Sequence, residues 1–248
     1  MAVETQTTDS ASQSGQGRNG QSRVGTVLVT GAASGLGAAI VAAVRAAGGT
    51  ALALDRVPVE GVPHEIVDLA HPREAEAAVR RVVDANGGTL DAVVTAAGTD
   101  FPAPLSKLDG DSWDQIVAVN LLGTAAVVRA ALPYLETSQG KVLTVGSTLS
   151  VKAVGDATAY CASKFGVVGF TRALAAELAG KIGVTLLIPG GMSTHFFDDR
   201  DPQYKPGPDA KLNDPANVAA AALFALQQPP GCEIKELVVT ASTEPSYP

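Results

Sequence analysis

The strongest constraint on the fold is a regular alternation of short, near-continuous Val/Leu/Ile runs with longer Ala-rich segments. Strands are predicted at Thr26–Thr30, Thr50–Leu54, Glu65–Val67, Leu90–Thr95, Lys141–Val145, Gly183–Ile188 and Glu236–Val239. These runs do not alternate polar with apolar residues, so both faces of each strand need cover. That is the pattern of parallel strands with helices on either side. Helical patterns fall between them: Leu36–Ala47, stopped by Gly48 and Gly49; Pro72 to about Ala85, opened by its proline; and Asp111–Leu132, Asp156–Leu178 and Asn217–Gln227. The connector Arg56–Pro63 holds two prolines and is poorly suited to a helix.

The expected fold class is therefore α/β: a single-domain, Rossmann-like three-layer α/β/α fold around a mostly seven-stranded parallel sheet. The expected domain covers 23–248. Residues 1–22 are rich in Ser, Gln, Thr and Gly and read as a flexible tail. No run approaches 18 consecutive apolar residues, and the start does not read as a signal peptide, so no membrane partner is expected. A net charge of -7 argues against nucleic acid as the main partner. Two cysteines, Cys161 and Cys232, make no disulfide framework, which leaves cytoplasm as the default location.

The first strand runs into Thr30-Gly31-Ala32-Ala33-Ser34-Gly35-Leu36-Gly37. Glycines at this spacing let the chain turn tightly and let a ligand approach the backbone. The helix that follows offers free N–H groups and the positive end of its dipole to a pyrophosphate. Asp55 ends the second strand, twenty residues after Gly35. A carboxylate there can accept hydrogen bonds from both ribose hydroxyls and repels a 2′-phosphate, which favours NAD over NADP. Arg56 beside it blunts the preference, because it could face such a phosphate. Asp68 and Leu69 follow the third strand, where they could meet an adenine amine and ring, or where Asp68 could cap a turn before Pro72. Ala97 and Gly98, in Thr95-Ala96-Ala97-Gly98, suit a loop passing close beside a cofactor.

The residues able to do chemistry lie in the second half. Tyr160 and Lys164 are four apart on a predicted helix and share a face. A nearby ammonium can lower a phenol pKa toward neutrality, and the phenol can then exchange a proton with an alcohol or carbonyl oxygen. Ser147, thirteen residues before the tyrosine, can hold that oxygen as charge develops. Asn120 sits in a mostly apolar helical segment, which is costly unless its polar groups are used; it could hold a water linking the lysine to solvent. No metal site is expected.

These motifs together resemble the classical short-chain dehydrogenase/reductase family over about residues 24–240. Thr30 to Gly37 matches its T-G-x-x-x-G-x-G pattern and Tyr160-Cys161-Ala162-Ser163-Lys164 its Tyr-x-x-x-Lys. With Ser147 and Asn120 these would complete its Asn-Ser-Tyr-Lys tetrad. Pro189-Gly190-Gly191-Met192-Ser193-Thr194 is similar to its Pro-Gly segment after strand six. The resemblance implies that Pro189, Gly190, Met192 and Thr194 meet the nicotinamide half of the cofactor, and that Lys164 holds the nicotinamide ribose. It also implies a homodimer or homotetramer built on the two long helices. Three departures stand out: Thr95 replaces the first Asn of the family's Asn-Asn-Ala-Gly, the Asp55–Asp68 segment lacks a helix, and the C-terminus lacks the common Asp-Gly-Gly.

The implied function is reversible hydride transfer between NAD(P) and a secondary alcohol or ketone, with Tyr160 as acid/base. A dehydratase or epimerase on the same scaffold, or a nucleotide-sensing regulator, are the alternatives. Residues 192–211 fall where relatives carry a substrate lid. The prolines Pro202, Pro206 and Pro208 argue for a loop, and Phe196, Phe197 and Tyr204 could either cover a substrate or pack the lid on its own protein. Phe101 could join that pocket. His195 reads as incidental and Cys161 as packing.

Overall fold

The structure, a computed structural model, describes residues 24–247. The tail expected over 1–22 lies outside the described residues. Seven parallel strands form one sheet in the order β3-β2-β1-β4-β5-β6-β7. They are β1 (Thr26–Thr30), β2 (Thr50–Asp55), β3 (His64–Ile66), β4 (Ala92–Thr95), β5 (Lys141–Val145), β6 (Gly183–Pro189) and β7 (Glu236–Val239). β1 pairs with both β2 and β4, with Val29 opposite Ala53 on one side and Val94 on the other. The strand order therefore reverses between β1 and β4, which opens a crevice at their C-terminal ends.

Helices α1 (Gly35–Ala46) and α6 (Pro215–Leu226) cover one face of the sheet. Ile40, Val41 and Val44 of α1 and Val218, Ala219 and Ala222 of α6 pack there on Val27 and Val29. The other face is covered by α2 (Pro72–Asp84), α4 (Thr124–Ser138) and α5 (Thr158–Glu177). Val79, Val83, Val127, Ala131 and Leu174 pack there on Leu28, Val93 and Val142. Two-sided cover is why the strands read as unbroken apolar runs. No helix separates β2 from β3.

The long helix departs from its expected bounds in two ways. α3 (Gly110–Val117), capped by the Asp109 carboxylate on the Ser112 N–H at 2.8 Å, continues through a π-helical turn at Ala118–Gly123 into α4. It also passes Pro133, where the sequence suggested an end near Leu132. An interior proline costs about 3 kcal/mol. Completely burying Leu135 returns about 1.5–3 kcal/mol, and the Tyr134 hydroxyl donates to Asp84 at 2.8 Å. Within the whole helix, Gly110–Ser138, one 18-residue window is apolar enough, by length and composition alone, to cross a membrane. Half of that window is buried within this domain, as in a core helix.

Other element ends shift for local reasons. α5 starts at Thr158 rather than Asp156, whose φ of 59° is left-handed. β4 starts at Ala92 rather than Leu90, where the Asp91 carboxylate accepts the Thr26 N–H at 2.7 Å.

Candidate active site

The crevice at the strand ends gathers the glycine-rich turn, the β4 loop, the start of α5 and the segment after β6. Gly31 has a φ of 66°, and a Cβ on it would lie 2.8 Å from the Ala97 Cα, so β1 and β4 loops meet with no side chain between them. A Cβ on Gly37 would stand 2.0 Å from the Gly31 carbonyl oxygen, which fixes α1 tight against its own turn. Ser34 is the N-cap residue of α1 but makes no side-chain cap bond, so the first-turn N–H groups face the crevice without that internal acceptor. A pyrophosphate fits this donor set. Leu36 is buried in the core, so its backbone rather than its side chain faces the crevice.

Asp55 is tied into the same turn. One carboxylate oxygen accepts the Ala33 N–H at 2.9 Å, and the other accepts Arg56 N–H at 2.7 Å and Val57 N–H at 3.3 Å. Asp68 does cap a turn, accepting the Ala70 N–H at 2.9 Å. Leu69 is buried, and Gly123 leaves room for it: a Cβ there would lie 2.8 Å from the Leu69 Cβ.

The β4 loop is braced from β1, where the Thr30 hydroxyl accepts the Ala97 N–H at 3.0 Å. Sequence reasoning left this brace unassigned. Asn120 grips the next turn of the same loop. Its Oδ1 accepts the Thr99 N–H at 2.8 Å, and its Nδ2 donates to the Thr99 carbonyl at 2.9 Å and to Ser163 Oγ at 3.0 Å. Ser163 in turn donates to the Tyr160 carbonyl at 2.8 Å. The amide thus ties the β4 loop to the start of α5. Its place in a π turn, a geometry frequent at functional sites, was not visible in the helical pattern.

Ser147 ends the β5 loop and caps the short turn Thr148–Ser150, accepting the Leu149 N–H at 3.1 Å. Its own proton stays available to donate. Tyr160 and Lys164 share a buried face of α5, with Lys164 Nζ 5.8 Å from the tyrosine ring centre. Lys164 donates to the Val145 carbonyl at 2.9 Å. Burial pushes the Tyr160 phenol up to about 12; a hydrogen bond with Ser147 works against that rise, Asp100 adds to it and Arg200 opposes it. Burial also draws the Lys164 ammonium down to about 8. The lowered phenol expected from the Tyr/Lys spacing is therefore reversed in this state, because desolvation outweighs a lysine directed at a backbone carbonyl.

The segment after β6 closes the crevice from above. A Cβ on Gly35 would lie 3.4 Å from the Thr194 Cγ2, so Thr194 stands directly over the glycine turn. Met192 packs on the α1 side, and Pro189 ends β6. Gly190 donates its N–H to the Val239 carbonyl at 3.0 Å. Glu244, near the C-terminus, accepts the Gly191 N–H at 2.9 Å, and Lys152 donates to the Pro245 carbonyl at 2.9 Å. This strap across Gly190–Gly191 was not found in the sequence. A cleft of about 360 Å³ lies between it and the lid, lined in part by Phe197, Tyr204 and Leu212.

The lid contains two short 3-10 turns, His195–Phe197 and Pro202–Tyr204, and no longer helix. Phe196 does two jobs at once: it packs the lid down, and it does so against the Tyr160 ring, at 6.0 Å between centres. Arg200 reaches back from the lid to Asp100 at 2.8 Å. Neither residue was singled out in the sequence, where Arg200 is simply a lone cation among Asp198, Asp199 and Asp201. Phe101 is exposed, and His195 lies at the surface paired with Asp198. Cys161 is buried beside Ile116, as packing.

Comparisons with known proteins point the same way. A family profile described as short chain dehydrogenase matches residues 25–205. D-threitol dehydrogenase of Mycolicibacterium smegmatis is 34% identical over 221 residues, 79% of this chain and 84% of the relative. L-fucose dehydrogenase of Mus musculus is 30% identical over 243 residues, 89% of each chain. Among solved structures, the alcohol dehydrogenase from the archaeon Thermococcus sibiricus, complexed with 5-hydroxy-NADP, superposes with a TM-score of 0.76 at 24% identity, covering 86% of this chain and 95% of the other. The ligand-free aldohexose dehydrogenase of Thermoplasma acidophilum gives 0.77 at 23%, covering 87% and 92%.

Proposed function

Because the chain belongs to the short-chain dehydrogenase family, whose members are NAD(P)-dependent oxidoreductases, we propose that it interconverts a secondary alcohol and its ketone. The observation that carries this reading is the convergence of Ser147, Tyr160 and Lys164 beside a glycine turn shaped for a pyrophosphate. The nicotinamide cofactor supplies or accepts the hydride. In the reducing direction Tyr160, protonated at neutral pH, gives its proton to the carbonyl oxygen. Ser147, already held by Leu149, donates its hydroxyl proton as a hydrogen bond to that same oxygen. Asn120 keeps the β4 loop and the Tyr160 turn in register.

The cofactor's holders in this reading are the N–H groups from Gly31 to Gly37, Asp55 at the adenosine ribose and Asp68 with Leu69 at the adenine edge. Ala97 and Gly98 line its middle, Lys164 takes the second ribose, and Pro189, Gly190, Met192 and Thr194 meet the nicotinamide half. The Asp55 carboxylate favours NAD. Exposed Leu122 and Phe165 flank the contact of Leu121 with Gly166, and we assign that face to pairing of two copies. The relatives named for threitol and fucose are named for compounds with secondary hydroxyls, which fits an alcohol substrate.

The test is a panel of secondary alcohols and ketones followed by nicotinamide absorbance with NAD and with NADP. Turnover of at least one pair supports the reading. Bound cofactor with no redox turnover across the panel would shift it to a dehydratase, an epimerase or a regulator.

A further inference from the structure

The C-terminal strap ties together two loops that the proposed reaction uses. Glu244 Oε2 accepts the Gly191 N–H at 2.9 Å. Its other oxygen, Oε1, accepts the Ser246 N–H at 3.1 Å and the Ser246 hydroxyl at 2.5 Å. The Ser246 hydroxyl also meets the Thr148 hydroxyl at 2.6 Å. An ionised carboxylate only accepts, so the Ser246 proton points to Glu244 and Thr148 donates to Ser246. The bonds therefore run one way, from Thr148 through Ser246 to Glu244, and Gly191 meets Glu244 from the other side. Thr148 follows Ser147 and opens the turn that Ser147 caps. Gly191 lies between Gly190 and Met192, in the segment given above to the nicotinamide half.

The surroundings are shaped for this contact on both sides. Thr148 is buried, and Ser246 supplies the partner that a buried hydroxyl needs. A Cβ on Gly190 would lie 2.5 Å from Glu244 Oε2, so glycine there leaves room for the carboxylate. Burial by itself raises the Glu244 carboxyl, but the bonds from Ser246 and the Gly191 N–H overcome it and hold the group below the usual carboxylate range. Lys152, two residues past the Ser147 turn, pins the same strap at the Pro245 carbonyl. The Gly191 carbonyl accepts the Asn213 N–H at 2.9 Å, so both polar groups of this glycine are held by later parts of the chain.

We propose that Glu244 and Ser246 are positioning residues for the reaction: through them the C-terminal strap fixes the segment that would meet the nicotinamide against the turn that carries Ser147. This rests on the alcohol/ketone reading above and adds two residues to it. Neither residue touches the reacting atoms. Their effect is on spacing. Hydride transfer needs the nicotinamide ring and the oxygen held by Ser147 in one geometry, and the strap joins the two loops that set it.

The test takes two readings on the full-length wild type and on Glu244→Ala, Glu244→Gln and Ser246→Ala. One is the affinity for NADH relative to ADP-ribose, which lacks the nicotinamide ring. The other is kcat for an alcohol that the wild type turns over. Melting curves establish that each variant is folded, and Ser246→Ala carries the test should Glu244→Ala fail to fold. In Glu244→Ala the advantage of NADH over ADP-ribose should shrink by about threefold or more, the scale of one lost hydrogen bond, with ADP-ribose affinity unmoved. Its kcat should fall by about tenfold to a hundredfold, the scale of a misplaced reacting group. Glu244→Gln keeps a carbonyl acceptor for Gly191 and should restore most of both. Ser246→Ala leaves Gly191 its acceptor and cuts the link to Thr148, so kcat should fall by about tenfold while the NADH advantage moves less. Unchanged kcat in a folded Ser246→Ala, an unchanged affinity ratio in a folded Glu244→Ala, or equal losses for NADH and ADP-ribose overturns the proposal, and the strap then serves stability alone. If the wild type binds NADH and turns over no alcohol or ketone, the alcohol reading falls, and the affinity ratio still decides whether Glu244 positions the nicotinamide segment.

Discussion

The Asp55 carboxylate, at the end of β2, accepts the N–H of Ala33 in the glycine-rich turn at 2.9 Å. One acidic side chain thus braces the turn and sets the charge beside the proposed ribose site. Asp55→Asn separates the two effects. It keeps an acceptor for Ala33, turns an NH2 group toward the Arg56 and Val57 N–H groups and removes the charge, so stability should fall by about 1 kcal/mol while the NADP-to-NAD ratio of kcat/KM rises by about tenfold, roughly 1.4 kcal/mol. Asp55→Ala loses both and should cost a further 1–2 kcal/mol or so in stability. Kinetics with both cofactors and denaturant melts check this. A wild-type preference for NADP would remove the assignment.

Tyr160→Phe deletes the phenolic oxygen and keeps the ring that Phe196 packs on. Turnover should fall by roughly 10²–10⁴, with the NAD Kd almost unmoved. Lys164→Ala should weaken both. In the wild type, alcohol oxidation should speed up as pH rises, because the phenol, raised by burial to about 12, must give up its proton before it can accept one from the substrate. A flat rate from pH 6 to 10 would contradict that assignment.

Gly37 has no room for a methyl group against the Gly31 carbonyl. Gly37→Ala should therefore push α1 off its turn, lowering stability by about 1–3 kcal/mol and weakening NAD binding together. Circular dichroism melts and a fluorescence titration read the two effects. An unchanged Tm would mean that the turn yields more easily than its geometry implies.

Burial raises the Asp100 carboxyl from 3.8 to about 6, against the pull of Arg200 and the Phe101 N–H. Between those values the folded protein binds a proton that the unfolded chain does not, so this group adds stability as pH falls from about 6 toward 4. The other shifted carboxylates, Glu76, Asp109, Glu236 and Glu244, are lowered and act in the opposite direction. The informative quantity is the difference in unfolding free energy between wild type and Asp100→Asn. It should grow in favour of the wild type on acidification and level off below about pH 4. A difference independent of pH would place Asp100 in water rather than beneath the segment that carries Arg200.

Leu122 and Phe165 remain exposed on adjacent elements of one face. If two copies pair there, sedimentation should give a multiple of the single-chain mass at micromolar concentration, and Leu122→Lys with Phe165→Glu should shift it to the single chain. A wild-type monomer would refute the pairing.

Much of this protein can be read along the chain. Unbroken apolar runs gave seven parallel strands because both faces of the sheet are covered, and Pro72, Gly48 and Gly49 marked helix ends by backbone chemistry alone. The glycine spacing from Gly31 to Gly37 and the four-residue step from Tyr160 to Lys164 are local, and a strand–turn–helix or a helix fixes what they place together. What needed the tertiary structure was every relationship between distant segments. Asp100 meets Arg200 across a hundred residues, Glu244 straps Gly191, and Asn120 spends its amide on Thr99 and Ser163. The state of Tyr160 belongs with these. Its spacing from Lys164 fixes the neighbour, but its phenol is raised by everything that excludes water around it, and that sum exists only once the lid and the β4 loop have closed over the start of α5.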